Sequence, residues 1–167
     1  MIGSIKENVA RRQFQKAISE SPVATSTSFN HLIKDGRIVI LFPLTKEKEH
    51  EANNNLNFFF DHYPKSEFLI IKPSELKKED LAFSGLPKPT YFSQFSNIHM
   101  VIDLSECFNR INTFIVARIH ATLKIRLYAS DEGEEVYHLS LKNETSDLKH
   151  RLHNLYKYSQ ILKGVVS

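Results

Sequence analysis

Short, nearly continuous apolar runs alternate along the chain with segments in which apolar residues recur at helical spacing. The runs RIVILFP (37–43), EFLIIKP (67–73) and HMVIDL (99–104) have the composition of strands buried in a parallel sheet. Between the first two runs, EANNNLNFFFDHYP (51–64) has helical periodicity and ends at a proline. This strand, helix, strand order predicts a βαβ unit with a right-handed crossover.

A second unit follows the third strand. The segment FNRINTFIVARIHA (108–121) predicts a helix, and LKIRLYA (123–129) alternates apolar with polar residues. The same alternation recurs in VYHLSLK (136–142). Both segments are therefore expected to be strands that lie near the edge of the sheet and expose one face to solvent. In residues 74–96, Ser74 is expected to cap a short turn of helix, and Gly85, Pro87 and Pro89 disfavour a long helix beyond Leu81.

Amphipathic helices are expected at both ends of the chain. Residues 1–19 have an apolar stripe with Lys and Arg beside it, and 20–28 form a Ser/Thr-rich loop. Residues 144–164 have a leucine seam, with Ser146 as the expected N-cap. The pattern predicts a single Rossmann-like α/β domain over 1–167, with three layers, a mostly parallel sheet and a core at 37–128.

Composition narrows the class of protein without changing this fold. The chain has 167 residues, 41% hydrophobic and 25% charged, which suits one globular domain with its own core. One cysteine, Cys107, excludes an intramolecular disulfide, and the N-terminus has no leader-like apolar core, so a cytoplasmic location is expected. No apolar run is long enough for a membrane-spanning helix, so the protein is expected not to be membrane-integral.

Several of these segments resemble one glycosyltransferase family. RIVILFP, a helix ending in DHYP, EFLIIKP and HMVIDLSECFNRINTFIVARIHATLKIRLY are similar in order to the N-terminal half of lipopolysaccharide heptosyltransferase-type (GT-B) enzymes. The resemblance covers 37–128, and its motifs are moderately specific. The basic N-terminal helix and the ending LYKYSQILK also resemble a group of small bacterial proteins with one Rossmann-like domain, a likeness that implies no activity.

The departures from the first family bear on activity. The family's loop after the first strand holds a glycine and an aspartate, the latter implicated as the base at the acceptor sugar. Here the loop is PLTKEKEHE, with neither residue, although Glu47 or Glu49 could replace the base. The chain also has no room for the family's donor-binding domain, so sugar transfer by this chain alone is not expected.

Candidate ligand contacts lie where the first and third strands end, since ligands of open α/β sheets bind beyond the carboxyl ends of the strands. After the first strand, Thr45, Lys46 and Lys48 could meet a phosphate at a helix N-terminus. Against this, TKEKEHE alternates in charge sign as solvated loops do, and the chain has no glycine-rich phosphate loop. After the third strand, the candidates are Asp103, Ser105, Asn109 and Arg110.

Asp103 has two interpretations. It could contact a ligand at the strand end, or it could accept backbone N–H groups and fix the strand-to-helix turn with help from Ser105. The structural role is favoured, because strand-end aspartates commonly serve turns.

Other reactive side chains are isolated in the sequence. His150 and His153 lack the spacing and the glutamate of a zinc-protease helix, and are expected on a helix surface. Cys107 could be activated by a helix N-terminus but is expected to be a packed small apolar side chain. The sequence therefore predicts no catalytic group, no metal site and no cofactor.

Three functions remain open. The first is a non-catalytic α/β interaction or regulatory module with a protein partner or as a homodimer. The second is a sugar- or nucleotide-binding half-domain related to glycosyltransferases, which needs a separate donor-binding subunit. The third, nucleic-acid binding through the first helix, is disfavoured because its four cations are interrupted by Glu7 and the net charge is only +3.

Overall fold

A computed structural model describes residues 2–21, 36–142 and 147–164 of the chain. They form an α/β layer fold around a five-stranded sheet of order β2-β1-β3-β4-β5, in which every pair of neighbouring strands is parallel. This confirms the predicted α/β class. The sheet was expected to be mostly parallel, and all of its described strand pairs are parallel. The order is that of the flavodoxin-like doubly wound folds, whose direction of winding reverses between β1 and β3.

The α-helices and strands of the described residues follow the order expected for successive crossovers. Their bounds are α1 Ile2–Ser19, β1 Arg37–Leu41, α2 Lys46–His62, β2 Glu67–Ile71, β3 Ile98–Asp103, α3 Arg110–Arg118, β4 Ala121–Arg126, β5 Leu139–Ser140 and α4 Leu148–Gly164. Short 3-10 turns replace a helix between β2 and β3, and another at Glu134–Val136 precedes β5.

Two apolar layers cover the sheet. On one face, α2 and α4 pack on the alternate strand residues that include Ile40, Ile102 and Ile125. On the other face, α1 and α3 pack on residues such as Val39 and Val101. Because β1 and β3 lie in the middle of the sheet, their side chains are buried on both faces, as their apolar runs predict.

The strand β4 differs from its prediction. Its polar residues Lys124 and Arg126 were expected in water, but both are fully buried on the α1/α3 face. The segment 136–142 differs as well, since only Leu139–Ser140 pair as a strand. A left-handed Gly133 (φ 72°) starts the 3-10 turn before it, and Tyr137 then turns inward instead of extending the ladder. Alternation of apolar and polar residues in a strand therefore does not distinguish a solvent-exposed face from a buried face that contains polar side chains.

Helix boundaries also differ from the sequence expectation. The TKEKEHE segment is the first turn of α2 and not a loop, because Thr45 caps the helix by accepting the Lys48 N–H and acidic residues favour a helix N-terminus. The helix α4 begins at Leu148. The expected Ser146 cap and most of the expected 20–28 loop lie outside the described residues.

Candidate functional site

The carboxyl ends of β1 and β3 meet at the reversal point of the sheet, where open α/β folds bind ligands. Asp103, the last residue of β3, is completely buried there. Its Oδ1 accepts hydrogen bonds from the Ser105 backbone N–H at 2.9 Å and from Asn112 Nδ2 at 3.2 Å. Its Oδ2 accepts one from the Tyr137 hydroxyl at 2.6 Å. The bond from Ser105 is the backbone contact expected if Asp103 fixes the turn after β3.

Asn112 ties this carboxylate to the neighbouring strand end. Its Nδ2 lies 2.9 Å from the carbonyl oxygen of Phe42 and 2.8 Å from Ser105 Oγ. The residue is fully buried on α3, and the side chain of Asn109 caps that helix by accepting the Ile111 and Asn112 N–H groups. The network thus fixes the connections after β1 and β3 and the start of α3 in one arrangement.

Tyr137 has a perturbed pKa because of this network. Burial raises the pKa of its phenol well above the usual value, and the adjacent Asp103 carboxylate raises it further. The guanidinium of Arg126 lies 5.4 Å from the Tyr137 ring centre. Arg126 donates to the carbonyl oxygen of Glu132 at 2.8 Å, while its Nε and Nη2 have no hydrogen-bond partner among the described residues. The polar cluster therefore holds a buried cation close to a buried phenol.

An ion-pair cluster crosses the surface above this network. Lys48 Nζ lies 2.9 Å from Glu106 and 3.0 Å from Glu51, and hydrogen bonds to these two carboxylates raise its pKa. Glu106 belongs to the connection after β3, whereas Lys48 is in the first turn of α2. The cluster therefore joins the two connections, and the Lys48 cation, predicted as a phosphate contact, is already paired with two carboxylates.

Four of the residues predicted as ligand contacts line one small crevice of about 110 Å³: Thr45, Lys48, Ser105 and Asn109. The other three lie elsewhere. Asp103 is buried beneath the crevice, Lys46 is exposed at the start of α2, and Arg110 pairs with Glu7 of α1 at 2.6 Å. Ligand binding by these seven residues stays a prediction, although the structure brings four of them together.

A larger cleft of about 700 Å³ opens beyond the carboxyl ends of β4 and β5. It is lined by Glu106, Tyr128, Ala129, Ser130, Asp131, Glu134, Leu141, Lys142 and Arg151. This volume falls in the range of small-molecule sites, roughly 300–1,000 Å³. Glu106 lines both the cleft and the small crevice, so the two are adjacent at the strand ends.

Arg151 and Tyr128 form a rigid part of the cleft wall. The Arg151 guanidinium lies 4.0 Å from the Tyr128 ring centre and donates to the carbonyl oxygens of Leu127 at 2.6 Å and Leu141 at 3.3 Å. Burial raises the pKa of Tyr128 to about 12, with Glu106 adding to the shift. These contacts join α4 to the ends of β4 and β5, so both side chains are held in place before any ligand binds.

Acidic groups dominate the remaining polar lining. Glu134 accepts the Ser130 backbone N–H at 2.9 Å through Oε1, and Asp131 is exposed at the rim. Glu106 has about a third of its side chain accessible (34%), and Lys142 is exposed. The lining therefore contains three carboxylates and two cations, Lys142 and Arg151. Sequence reasoning missed this cleft, because its residues come from four separate segments and share no motif.

The other reactive side chains lie apart from the cleft. Cys107 is exposed and not packed as expected, because the β3–α3 connection carries it to the rim of the small crevice. Glu49 is buried and accepts a hydrogen bond from Ser74, while Glu47 is exposed. His150 is exposed, and His153 packs with its ring 5.2 Å from that of Phe58. No three His, Cys, Asp or Glu residues of the described segments are grouped as metal ligands.

Comparison of the chain with protein-family models, curated proteins and solved structures found no match. The glycosyltransferase resemblance therefore stays a prediction. Within residues 2–21, 36–142 and 147–164, no helix is both long enough and apolar enough to cross a bilayer.

Proposed function

We propose that this protein is a non-catalytic α/β regulatory module that binds a small, hydroxyl-rich molecule in the 700 Å³ cleft. Ligand binding in the cleft would then change its association with a protein partner or with a second copy. The observation that carries the proposal is the lining of that cleft. Three carboxylates line the cleft together with a wall formed by Arg151 and Tyr128. The cleft has the size and position of a ligand site at the ends of parallel strands.

The chemistry of the lining supports the ligand class. Carboxylates accept hydrogen bonds, so Glu106, Asp131 and Glu134 suit a ligand that presents several hydroxyl donors. A phosphate would meet repulsion from the same three groups, which outnumber the two lining cations Lys142 and Arg151, and the nearby Lys48 is held by Glu106 and Glu51. A neutral sugar or polyol is therefore favoured over a nucleotide.

The state of Asp103 supports the non-catalytic part of the proposal. A general acid or base must reach a proton on the substrate. Both oxygens of Asp103 accept hydrogen bonds from protein groups, and the side chain is fully buried. Its position therefore suits a structural role, since it holds the floor of the strand-end region.

Thermal unfolding in the presence of graded ligand concentrations tests the proposal. We expect neutral sugars or polyols, but not nucleotides or nucleotide sugars, to raise the melting temperature in a saturable way. Stabilisation reaches about 2.7 kcal/mol at a hundredfold excess over the dissociation constant. The Asp131→Asn variant should weaken the response, whereas Asp61→Asn, on the exposed surface of α2, should not. The mass in solution with and without ligand reports whether a second copy is recruited.

Two results would contradict the proposal. One is a complete lack of stabilisation by neutral polyhydroxyl compounds. The other is a nucleotide response that survives Asp131→Asn and is lost in Lys48→Gln, because that response would place the ligand in the small crevice and not in the cleft.

A sugar-binding half-domain of a two-chain glycosyltransferase is the second candidate. It would use the same cleft, and the acidic lining favours it because a sugar acceptor presents hydroxyl groups. The two candidates differ in one measurement. A half-domain should support sugar transfer from a nucleotide sugar when a separate donor-binding chain is added, whereas a regulatory module should bind the sugar without any turnover.

A further inference from the structure

The first half of α1 extends beyond the packed layers of the domain. Ala10 and Ala17 are buried against the α1/α3 layer, at 3% and 2% exposure, and Phe14 is half-buried beside Phe108. In contrast, residues 3–9 are all exposed. The N-terminal two turns therefore present their side chains to the surroundings on most sides.

One stripe of this helix combines apolar and cationic side chains. Ile5, Val9, Arg12 and Lys16 follow the spacing i, i+4, i+7 and i+11, which places them on one helix face. Ile5 and Val9 are exposed to 52% and 36%, and the Lys16 side chain to 73%. The two apolar residues lie toward the N-terminus of the stripe and the two cations toward its C-terminus.

A loop holds another exposed apolar side chain beside this stripe. Ser84 Oγ donates to Gln13 Oε1 at 2.6 Å. Gly85, in the left-handed region (φ 83°), lies beside Lys6, where an added Cβ would make an ordinary van der Waals contact of 3.7 Å with Lys6 Cε. These contacts fix the loop against α1, on the side of the helix next to Val9. Phe83, at the tip of the loop, is 64% exposed.

We propose that this surface, formed by the α1 stripe and Phe83, docks on an anionic phospholipid bilayer. Its apolar side chains project from a helix and a loop tip and are not gathered in a groove, so a flat, deformable partner can cover them together. Arg12 and the neighbouring Lys6 complement the negative charge of acidic headgroups, and Lys16, which forms an exposed pair with Glu20 at 3.7 Å, can exchange that partner for a headgroup. The helix would lie in the interface with Ile5, Val9 and Phe83 in the headgroup region.

The mixed character of the surface separates this partner from others. Nucleic acid would engage the cations but would leave Ile5, Val9 and Phe83 without an apolar environment. A neutral bilayer would accept the apolar side chains but would offer the cations no counter-charge. An anionic bilayer satisfies both sets of side chains at one surface, and the inference does not depend on the ligand of the cleft.

Flotation of the full chain with vesicles tests the inference. We expect the protein to float with phosphatidylserine/phosphatidylcholine vesicles, not with phosphatidylcholine alone, and to dissociate as salt rises. Arg12→Gln and Lys16→Gln should each weaken partitioning about fivefold. Phe83→Ser should weaken it about tenfold. The matched controls Lys65→Gln and Ile70→Ser change exposed residues on the other side of the sheet and should partition like the wild type.

The variants change exposed side chains, so their melting temperatures should match that of the wild type, which separates a docking defect from a folding defect. Failure to float with anionic vesicles would overturn the inference. Equal flotation with neutral vesicles, or equal losses in the two control variants, would also overturn it. So would Phe83-dependent self-association or salt-sensitive nucleic-acid binding without vesicle binding.

Discussion

Removing the Tyr137 hydroxyl tests whether the buried Asp103 network stabilises the fold. In Tyr137→Phe only one oxygen is lost, and the ring keeps its place in the core beneath Arg126. The lost interaction is the 2.6 Å hydrogen bond to Asp103 Oδ2. The carboxylate would then keep the Ser105 and Asn112 donors on Oδ1 and lose the donor on Oδ2.

The magnitude follows from the charge and burial of this pair. A hydrogen bond to a charged group contributes about 1.5–3 kcal/mol, and a buried acceptor left without a donor loses stabilisation of the same order. Asp103 is 0% and Tyr137 7% exposed, so water does not replace the donor readily. We expect Tyr137→Phe to lower the free energy of unfolding by about 2 kcal/mol.

Urea denaturation followed by circular dichroism measures this loss. For a slope of about 2 kcal/mol per molar urea, the midpoint should fall by about 1 M at an unchanged slope. Tyr158→Phe is the matched control, because Tyr158 is 49% exposed and its hydroxyl is in reach of water. In the Asp103→Asn background, Tyr137→Phe should have a much smaller effect, since the charged acceptor is already gone.

The pH dependence gives an independent check. Because the folded state raises the Tyr137 pKa, the unfolded chain ionises first, near the ordinary value of 10. The stabilisation from this group is complete below that pH and is lost as pH rises further, by about 1.4 kcal/mol per unit. Tyr137→Phe should lack this part of the alkaline loss. An effect of under about 0.5 kcal/mol, or one equal in both backgrounds, would refute a stabilising role for the bond.

Two further predictions concern buried residues of the central strands. Ile102→Asp should unfold the protein because it buries an unpaired charge at a fully inaccessible site. The matched variant Ile102→Val should lower the free energy of unfolding by only about 1 kcal/mol. An unchanged melting temperature for Ile102→Asp would contradict the β3 assignment. Burial lowers the Lys124 pKa from 10.5 to about 8 because the charged form is disfavoured in the fold. The resulting loss of stability is absent above the unfolded pKa, grows as pH falls through this range and is complete below about 8. Lys124→Met should therefore raise unfolding stability at pH 7 by about 2 kcal/mol, with no difference from the wild type at about pH 11 and no effect of the exposed control Lys65→Met.

Local patterns explain why much of the fold was predictable. The apolar runs of β1 and β3 reflect burial on both faces, which any central parallel strand requires, and the prediction needs no knowledge of their partners. The turn role of Asp103 depends on Ser105, two residues away, and is likewise local. In contrast, the Tyr137 bond spans 34 residues, and nothing in the VYHLSLK pattern distinguishes this tyrosine from a strand residue.

Long-range contacts also explain the errors. Lys124 and Arg126 follow the period of a half-exposed strand, but α1, α3 and the 3-10 turn before β5 cover that face. The large cleft depends on where α4 meets the ends of β4 and β5, through the contacts of Arg151 with Leu127 and Leu141. Such docking is set by tertiary packing, which periodicity does not encode.

The two edges of the sheet differ in length, and this difference affects how copies of the chain can associate. Unpaired backbone groups along an edge strand are a template for a strand from another molecule. At one edge, β5 offers only the two residues Leu139–Ser140, too few for a stable ladder. At the other edge of the sheet that the described residues form, β2 offers five residues with Ile70 exposed at 41%. Strand addition in concentrated solution would therefore begin at β2. The ion pair between Arg37 and Glu67 places charge at the start of the β1–β2 ladder, which opposes such addition.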